Sequence, residues 1–220
     1  MNETPSVVAI CGSLGDQSTT RVALGHALDA AAAAGAETEL VDLREWDLPL
    51  FDPDDRNRGD VPALRELVGE ADAVLLGTPV YHGMVSSALK SAFDYLGKDE
   101  FEDTTVGLLA TAGGGSYAQT LEHLRTGVRT VHGWALPHEV GIRNASDAFD
   151  ADGNVVDADI EDRVRKLGRL AAENAFVPMD VSTTKAAYAI VRAPRSLADD
   201  EITENAVSTA FESWKRERGI

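Results

Sequence analysis

Four hydroxyl side chains, Ser13, Ser18, Thr19 and Thr20, stand close together in the stretch Gly12-Ser13-Leu14-Gly15-Asp16-Gln17-Ser18-Thr19-Thr20, just ahead of an alanine-rich helical pattern. Such a loop suits a phosphate. The first amides of a helix have no intrahelical partner and lie at the positive end of the helix dipole, so an anion is held there with little help from cationic side chains. The alternative is local and structural: Ser18 or Thr19 caps the helix and Gly12 makes a turn. No Gly-Lys-Ser/Thr follows, as a P-loop requires, and the glycines do not fit the Gly-x-Gly-x-x-Gly dinucleotide fingerprint. A mononucleotide phosphate held without a metal fits better.

Two later stretches have chemistry of a different kind. Pro79, Val80, Tyr81, His82 and Gly83 present a stiff backbone with exposed amides, and Gly113, Gly114 and Gly115 let a chain come close to a ligand edge where any side chain would block it. If the first loop takes a phosphate, these two would flank a ring system. An isoalloxazine needs backbone donors near N5, N1 and O2 to tune its reduced form. Tyr81 offers an aromatic wall, and His82 a donor to a flavin oxygen or to a substrate. The bland readings are that Tyr81 packs on the next helix and that His82 is solvated.

The elements that must position these loops follow from apolar runs. Val7–Cys11, Ala73–Gly77 and Val106–Ala110 have no polar interruption, as expected of strands buried on both faces of a parallel sheet. Thr38–Leu43 and, less clearly, Gly133–Val140 supply two more. Helices are predicted over about Thr20–Ala34, Val61–Gly69, Ser86–Leu96, Tyr117–Thr126 and Arg163–Phe176, with Thr78–Met84 a loop. Strands alternating with helices imply a doubly wound five-stranded parallel sheet of order 2-1-3-4-5, whose ligand sits beyond the carboxyl ends of the strands at the switch point. The three unusual loops are those such a topology brings together.

Other features are weaker. Asp42 ends the second strand and without the glycine fingerprint need not hold a ribose. The segment Arg44–Asp60 is an irregular loop, either a lid or subunit contact or simply Trp46 packed over the sheet edge. Asp150, Asp152 and Gly153 read as a turn, because the glycine is at the wrong offset for a calcium loop and no glutamate completes it. Cys11, the single cysteine, excludes an internal disulfide and reads as a buried small hydrophobe. Residues 177–220 read as a helical extension with apolar spacing at Ile202, Ala206, Ala210 and Trp214, beyond a domain spanning 1–176.

The balance of 37 acidic against 20 basic residues, a formal net charge of −17, argues against nucleic acid as a partner. With 44% hydrophobic residues in periodic runs the chain is not a disordered acidic protein. Such a surface fits a high-salt cytoplasm, where screening shortens self-repulsion and hydrated carboxylates keep the protein in solution. No apolar run reaches membrane-spanning length and the first residues lack signal-peptide character, so a cytoplasmic location without membrane contact is expected.

The motifs resemble those of the NAD(P)H-dependent FMN reductase family, flavodoxin-like enzymes that include quinone, azo and chromate reductases. Gly12 to Thr20 is similar to the family's Gly-Ser-Leu-Arg-x-x-Ser-x-Asn, and Thr78 to Gly83 to its Thr-Pro-Glu-Tyr-Asn-Gly, followed by Leu89, Lys90, Ala92 and Asp94. Asp47–Asp55 and Phe149–Asp157 also look like family segments. Gly15, Thr20, Val80 and His82 depart from the pattern, and Gly15 removes a cation that would lie over the phosphate or approach NADPH. The resemblance implies bound FMN, hydride transfer from NADH or NADPH to flavin N5, and two-electron reduction of a small quinone-like acceptor. It assigns cofactor binding to Ser13, Ser18, Thr19, Thr20, Pro79, Val80, Tyr81, His82, Gly83, Ala112, Gly113 and Gly114, leaves Tyr81 and His82 as candidates for proton delivery, and implies a homodimer or a dimer of dimers. The competing readings are a flavodoxin-like electron carrier and a flavin-less binding protein of the same fold.

Overall fold

Alternating burial along the first apolar run decides the layers of the structure, a computed structural model that describes residues 4–175. In β1 (Ser6–Cys11), Val7, Ala9 and Cys11 face one hydrophobic cluster, while Val8 and Ile10 face another. That is the two-residue period of a strand covered on both sides. The first cluster is closed by α1 (Thr19–Ala33) and α6 (Ala158–Glu173). The second is closed by α2 (Val61–Gly69), α3 (Ser87–Tyr95), the single turn α4 (Lys98–Phe101) and α5 (Ala118–Thr130).

The sheet is parallel throughout, with β2 (Glu37–Asp42), β1, β3 (Ala73–Pro79) and β4 (Thr105–Ala112) in that spatial order. Beyond β4 lie two short strands, β5 (Trp134–Ala135) beside its start and β6 (Val140–Arg143) beside its end. The expected order 2-1-3-4-5 is present, so the chain has a flavodoxin-like fold. The fifth strand is not the continuous Gly133–Val140 of the sequence reading. Pro137 has no amide to give to a ladder, and the chain bulges between Leu136 and Glu139 before pairing resumes.

Other boundaries shift for local reasons. Thr78 and Pro79, placed in a loop from sequence, extend β3 and pair with Ala110 and Thr111. Ser86 is the cap of α3, its hydroxyl accepting from Leu89 N at 3.1 Å. The closing helix begins at Ala158 rather than Arg163, because Asp157 caps it by accepting from Asp159 N at 2.8 Å. The 177–220 extension lies outside the described residues.

The two helices on the first face touch backbone to backbone. A Cβ at Gly168 would stand 1.7 Å from the Ala27 carbonyl oxygen, so α6 lies on α1 at a distance only glycine permits. On the other face the segment after β2 is held down: Ser91 Oγ donates to Pro49 O, Tyr95 Oη donates to Leu50 O, and Trp46 and Leu48 pack on the cluster. Packing of Trp46, rather than a free lid, accounts for this stretch. Asp150 accepts from the Asp152 and Asn154 amides and from Asn154 Nδ2, which hold its carboxyl below the usual range and make the predicted turn.

Candidate functional site

Three loops leave the carboxyl ends of β1, β3 and β4 and are stitched to one another. Gly12 N donates to Gly77 O at 2.8 Å, and Ser86 Oγ donates to Gly12 O at 2.6 Å, joining the first loop to the second. Val80 N donates to Thr111 O at 2.8 Å, joining the second to the third. The buried hydroxyls of Thr20 and Thr111, 2.6 Å apart, join the first to the third. Thr20 therefore has its side chain committed inside the protein. Anything it offers a ligand comes from its amide.

At the start of α1, Ser18 is the cap and its hydroxyl takes the Arg21 amide at 3.0 Å. The amides of Thr19 and Thr20 have no acceptor among the described residues. Ser18 is the cap that the structural reading expected, and the two open amides are what the phosphate reading requires. Ser13, in the same loop, is buried. Two carboxylates near this point are neutralised. Arg21 Nε binds Asp42 at 2.5 Å while its two terminal nitrogens donate to the Gly15 and Asp16 carbonyls, and Arg44 pairs with Asp16. The hydrogen bond that Arg21 donates to Asp42 pushes its guanidinium pKa further up, so it is a fixed charge at any working pH. Asp42 anchors the cation that braces the loop.

In the second loop, Tyr81 and Met84 exchange both backbone hydrogen bonds, at 3.1 and 2.9 Å, across His82 and Gly83. Both central residues have positive φ, 55° and 76°, which is a type I′ turn. The turn lifts Tyr81, 57% exposed, and His82 away from the helix, so Tyr81 is not packed on α3. Asparagine tolerates this conformation better than histidine. His82→Asn is expected to stabilise the protein by about 0.5 kcal/mol, read as a raised unfolding midpoint in urea; a lowered midpoint would contradict the turn assignment.

The third loop carries the most informative glycines. Gly113, Gly114 and Gly115 are exposed, none lies in the left-handed region, and a Cβ at Gly113 or Gly115 would meet nothing within 4 Å. Neither backbone conformation nor internal packing asks for glycine there. A ring edge lying against the turn would. These bare residues, the free amides of α1 and the raised Tyr81-His82 turn fit a flavin mononucleotide.

Cys11 lies beneath the first loop, fully buried, with Sγ 4.0 Å from Ser18 Oγ. Burial pushes its thiol pKa up, more than the Ser13 carbonyl contact lowers it. The thiol stays protonated at neutral pH, which excludes a ready nucleophile. Alkylation by iodoacetamide at pH 8 is expected only after unfolding; rapid labelling of the native protein would contradict this.

Sequence reasoning missed Arg21, Thr111 and the pair Arg143-Asn144 at the end of β6. Asn144 has left-handed backbone angles and its Oδ1 is 3.7 Å from the Cβ position of Gly114. Placing the fifth strand through Pro137 hid this pair. Among the described residues no group of His, Cys, Asp and Glu is arranged to hold a metal, and no helix is long and apolar enough to cross a membrane.

Comparison with known proteins agrees with this geometry, and residues 5–147 match the NADPH-dependent FMN reductase family. The chain belongs to that family. An FMN-dependent NADPH-azoreductase of Staphylococcus aureus is 36% identical over 135 residues, 59% of this chain and 72% of that protein. The FerB NAD(P)H:(acceptor) oxidoreductase of Paracoccus denitrificans superposes with a TM-score of 0.66 at 19% identity, over 77% of this chain and 96% of that one. An archaeal flavodoxin superposes at 0.57 with 10% identity, over 78% and 99%. Reductase and flavodoxin thus share the fold, and family membership makes this chain an NAD(P)H-dependent FMN oxidoreductase.

Proposed function

We propose that this reductase delivers electrons to small aromatic acceptors of the quinone or azo class, as a cytoplasmic homodimer or dimer of dimers. FMN, when bound, supplies the chemistry by accepting hydride from NAD(P)H and passing two electrons on. The chain's residues hold and shape it. The Thr19 and Thr20 amides, with Ser13 and the Ser18 cap, receive the phosphate; Pro79 to Gly83 line one side of the ring with backbone groups, and Ala112 to Gly114 the other. Val80 and His82 take part through main-chain atoms, so their departures from the family pattern do not prevent binding. Tyr81 and His82, both exposed, would give a proton to a quinone oxygen. Residues 1–176 form the catalytic unit and 177–220 an appendage to it.

The observation that carries this is the set of glycines with no internal reason to be glycine, opposite two unclaimed helix amides. The visible absorption spectrum tests it. Protein purified with FMN should keep the flavin bands, NADH or NADPH should bleach them, and menadione or an azo dye should restore them. A colourless protein that ignores added FMN, or a bound flavin that neither nucleotide bleaches, would overturn the reading.

The net charge of −17 supports a high-salt setting. Molar KCl is expected to raise the thermal midpoint well above its value in dilute buffer, because screening shortens the reach of self-repulsion to about 3 Å. Equal midpoints would remove the argument.

A further inference from the structure

Arg143 closes β6 as the partner of Ala112, the residue from which the bare glycine turn departs. Its direction follows from the alternation of the strand. Val140 and Ile142 are buried in the cluster under α1 and α6, while Gly141 lies on the other face, where a Cβ would come within 2.0 Å of the Tyr117 ring. Arg143 shares the face of Gly141 and is exposed, beyond Tyr117 and beside the turn that Asn144 touches at Gly114.

The other arginines near the carboxyl end of the sheet are occupied. Arg21 binds Asp42 and Arg44 binds Asp16; Arg125, farther down the edge, binds Glu139. Among the described residues Arg143 has no ion-pair partner, on a chain whose formal charge is −17. A guanidinium left open at the rim of a site is a planar fork for anionic oxygens, and in a field of negative charge it is a local point where an anion can settle.

The flavin phosphate is not that anion. The free amides belong to α1, which packs on the sheet face of Val140 and Ile142, whereas Arg143 lies on the opposite face with Gly141 and Tyr117. We propose that Arg143, assisted by the Asn144 amide, binds the anionic group of the second substrate that enters over the flavin ring. This inference rests on the FMN reading above. Two sources supply such oxygens: the phosphates of the pyridine dinucleotide, and a sulfonate or carboxylate on the acceptor.

The experiment uses FMN-loaded full-length protein and the variants Arg143→Gln and Arg143→Lys. FMN affinity is measured first by fluorescence quenching. NADP+, NAD+, anthraquinone-2-sulfonate and uncharged menadione are then titrated while the flavin absorbance is followed, so binding is read without turnover. Arg143→Gln is expected to weaken an anionic ligand about 10-fold, near 1.4 kcal/mol, with Arg143→Lys recovering part of the loss and with FMN and menadione unchanged. Weakening confined to the dinucleotides assigns the site to the reductant; weakening confined to the sulfonate assigns it to the acceptor. Anionic ligands that stay within twofold of wild type would overturn the proposal, as would a parallel loss of FMN affinity, which would place Arg143 in the flavin site instead. Wild-type protein that takes up no FMN would instead sink the flavin reading itself.

Discussion

Gly113→Val is expected to fold normally and to lose its flavin. The substitution is mild for the protein: the residue is exposed, its φ lies outside the left-handed region, and a Cβ meets no atom within 4 Å. It is severe for a ring edge lying against the turn, because the added methyls occupy the space the ring would need. A loss of at least about 100-fold in FMN affinity, near 2.7 kcal/mol, should accompany an unchanged thermal midpoint of the flavin-free protein. Gly12→Val is the contrasting control, since its Cβ would sit 2.6 Å from Leu89 Cβ and 2.8 Å from Ser86 Oγ. That variant should be destabilised whether or not flavin is present. If Gly113→Val binds FMN as wild type does, the third loop does not contact the ring.

Gly168→Ala should be the most damaging small change away from the site. The new methyl would lie 1.7 Å from the Ala27 carbonyl oxygen and 2.5 Å from its carbon, both backbone atoms that no rotamer change can move aside. α6 must lift from α1, loosening contacts among Ala23, Ala27, Ala31, Val164, Leu167 and Ala171, all buried on this face. Overpacking of a close-fitted core costs about 1–3 kcal/mol, and a backbone obstacle belongs at the upper end. For a protein of this size that is a fall of roughly 5–10 °C in the midpoint. A midpoint within one degree of wild type would mean that the helices are farther apart than described.

What could be seen beforehand depended on whether a signal was local. The ends of β1, β3 and β4 were legible to within two residues because uninterrupted apolar runs stop at Gly12, Thr78 and Thr111, and a parallel topology brings such ends together. The His82 turn was obscured because histidine stands in a position that asparagine usually marks. Arg21 with Asp42, and Thr20 with Thr111, pair residues far apart in the chain; only the register of neighbouring strands and helices reveals them. Pro137 split the last strand, and with it went Arg143, the arginine near the carboxyl end of the sheet that has no ion-pair partner among the described residues.

That split strand also decides how the molecule's flank meets its neighbours in a crowded solution. A long open flank of unpaired amides and carbonyls would template pairing with another chain. Here β4 is covered by segments of two and four residues offset by a bulge, and the outer Gly141 carbonyl is taken by Arg163 Nη1 at 3.1 Å. On this flank the described residues leave no straight run for an incoming strand to zip against. A concentrated protein with this flank resists ordered aggregation along it, and replacing Pro137 with a strand-forming residue would erode that protection before it touched the flavin.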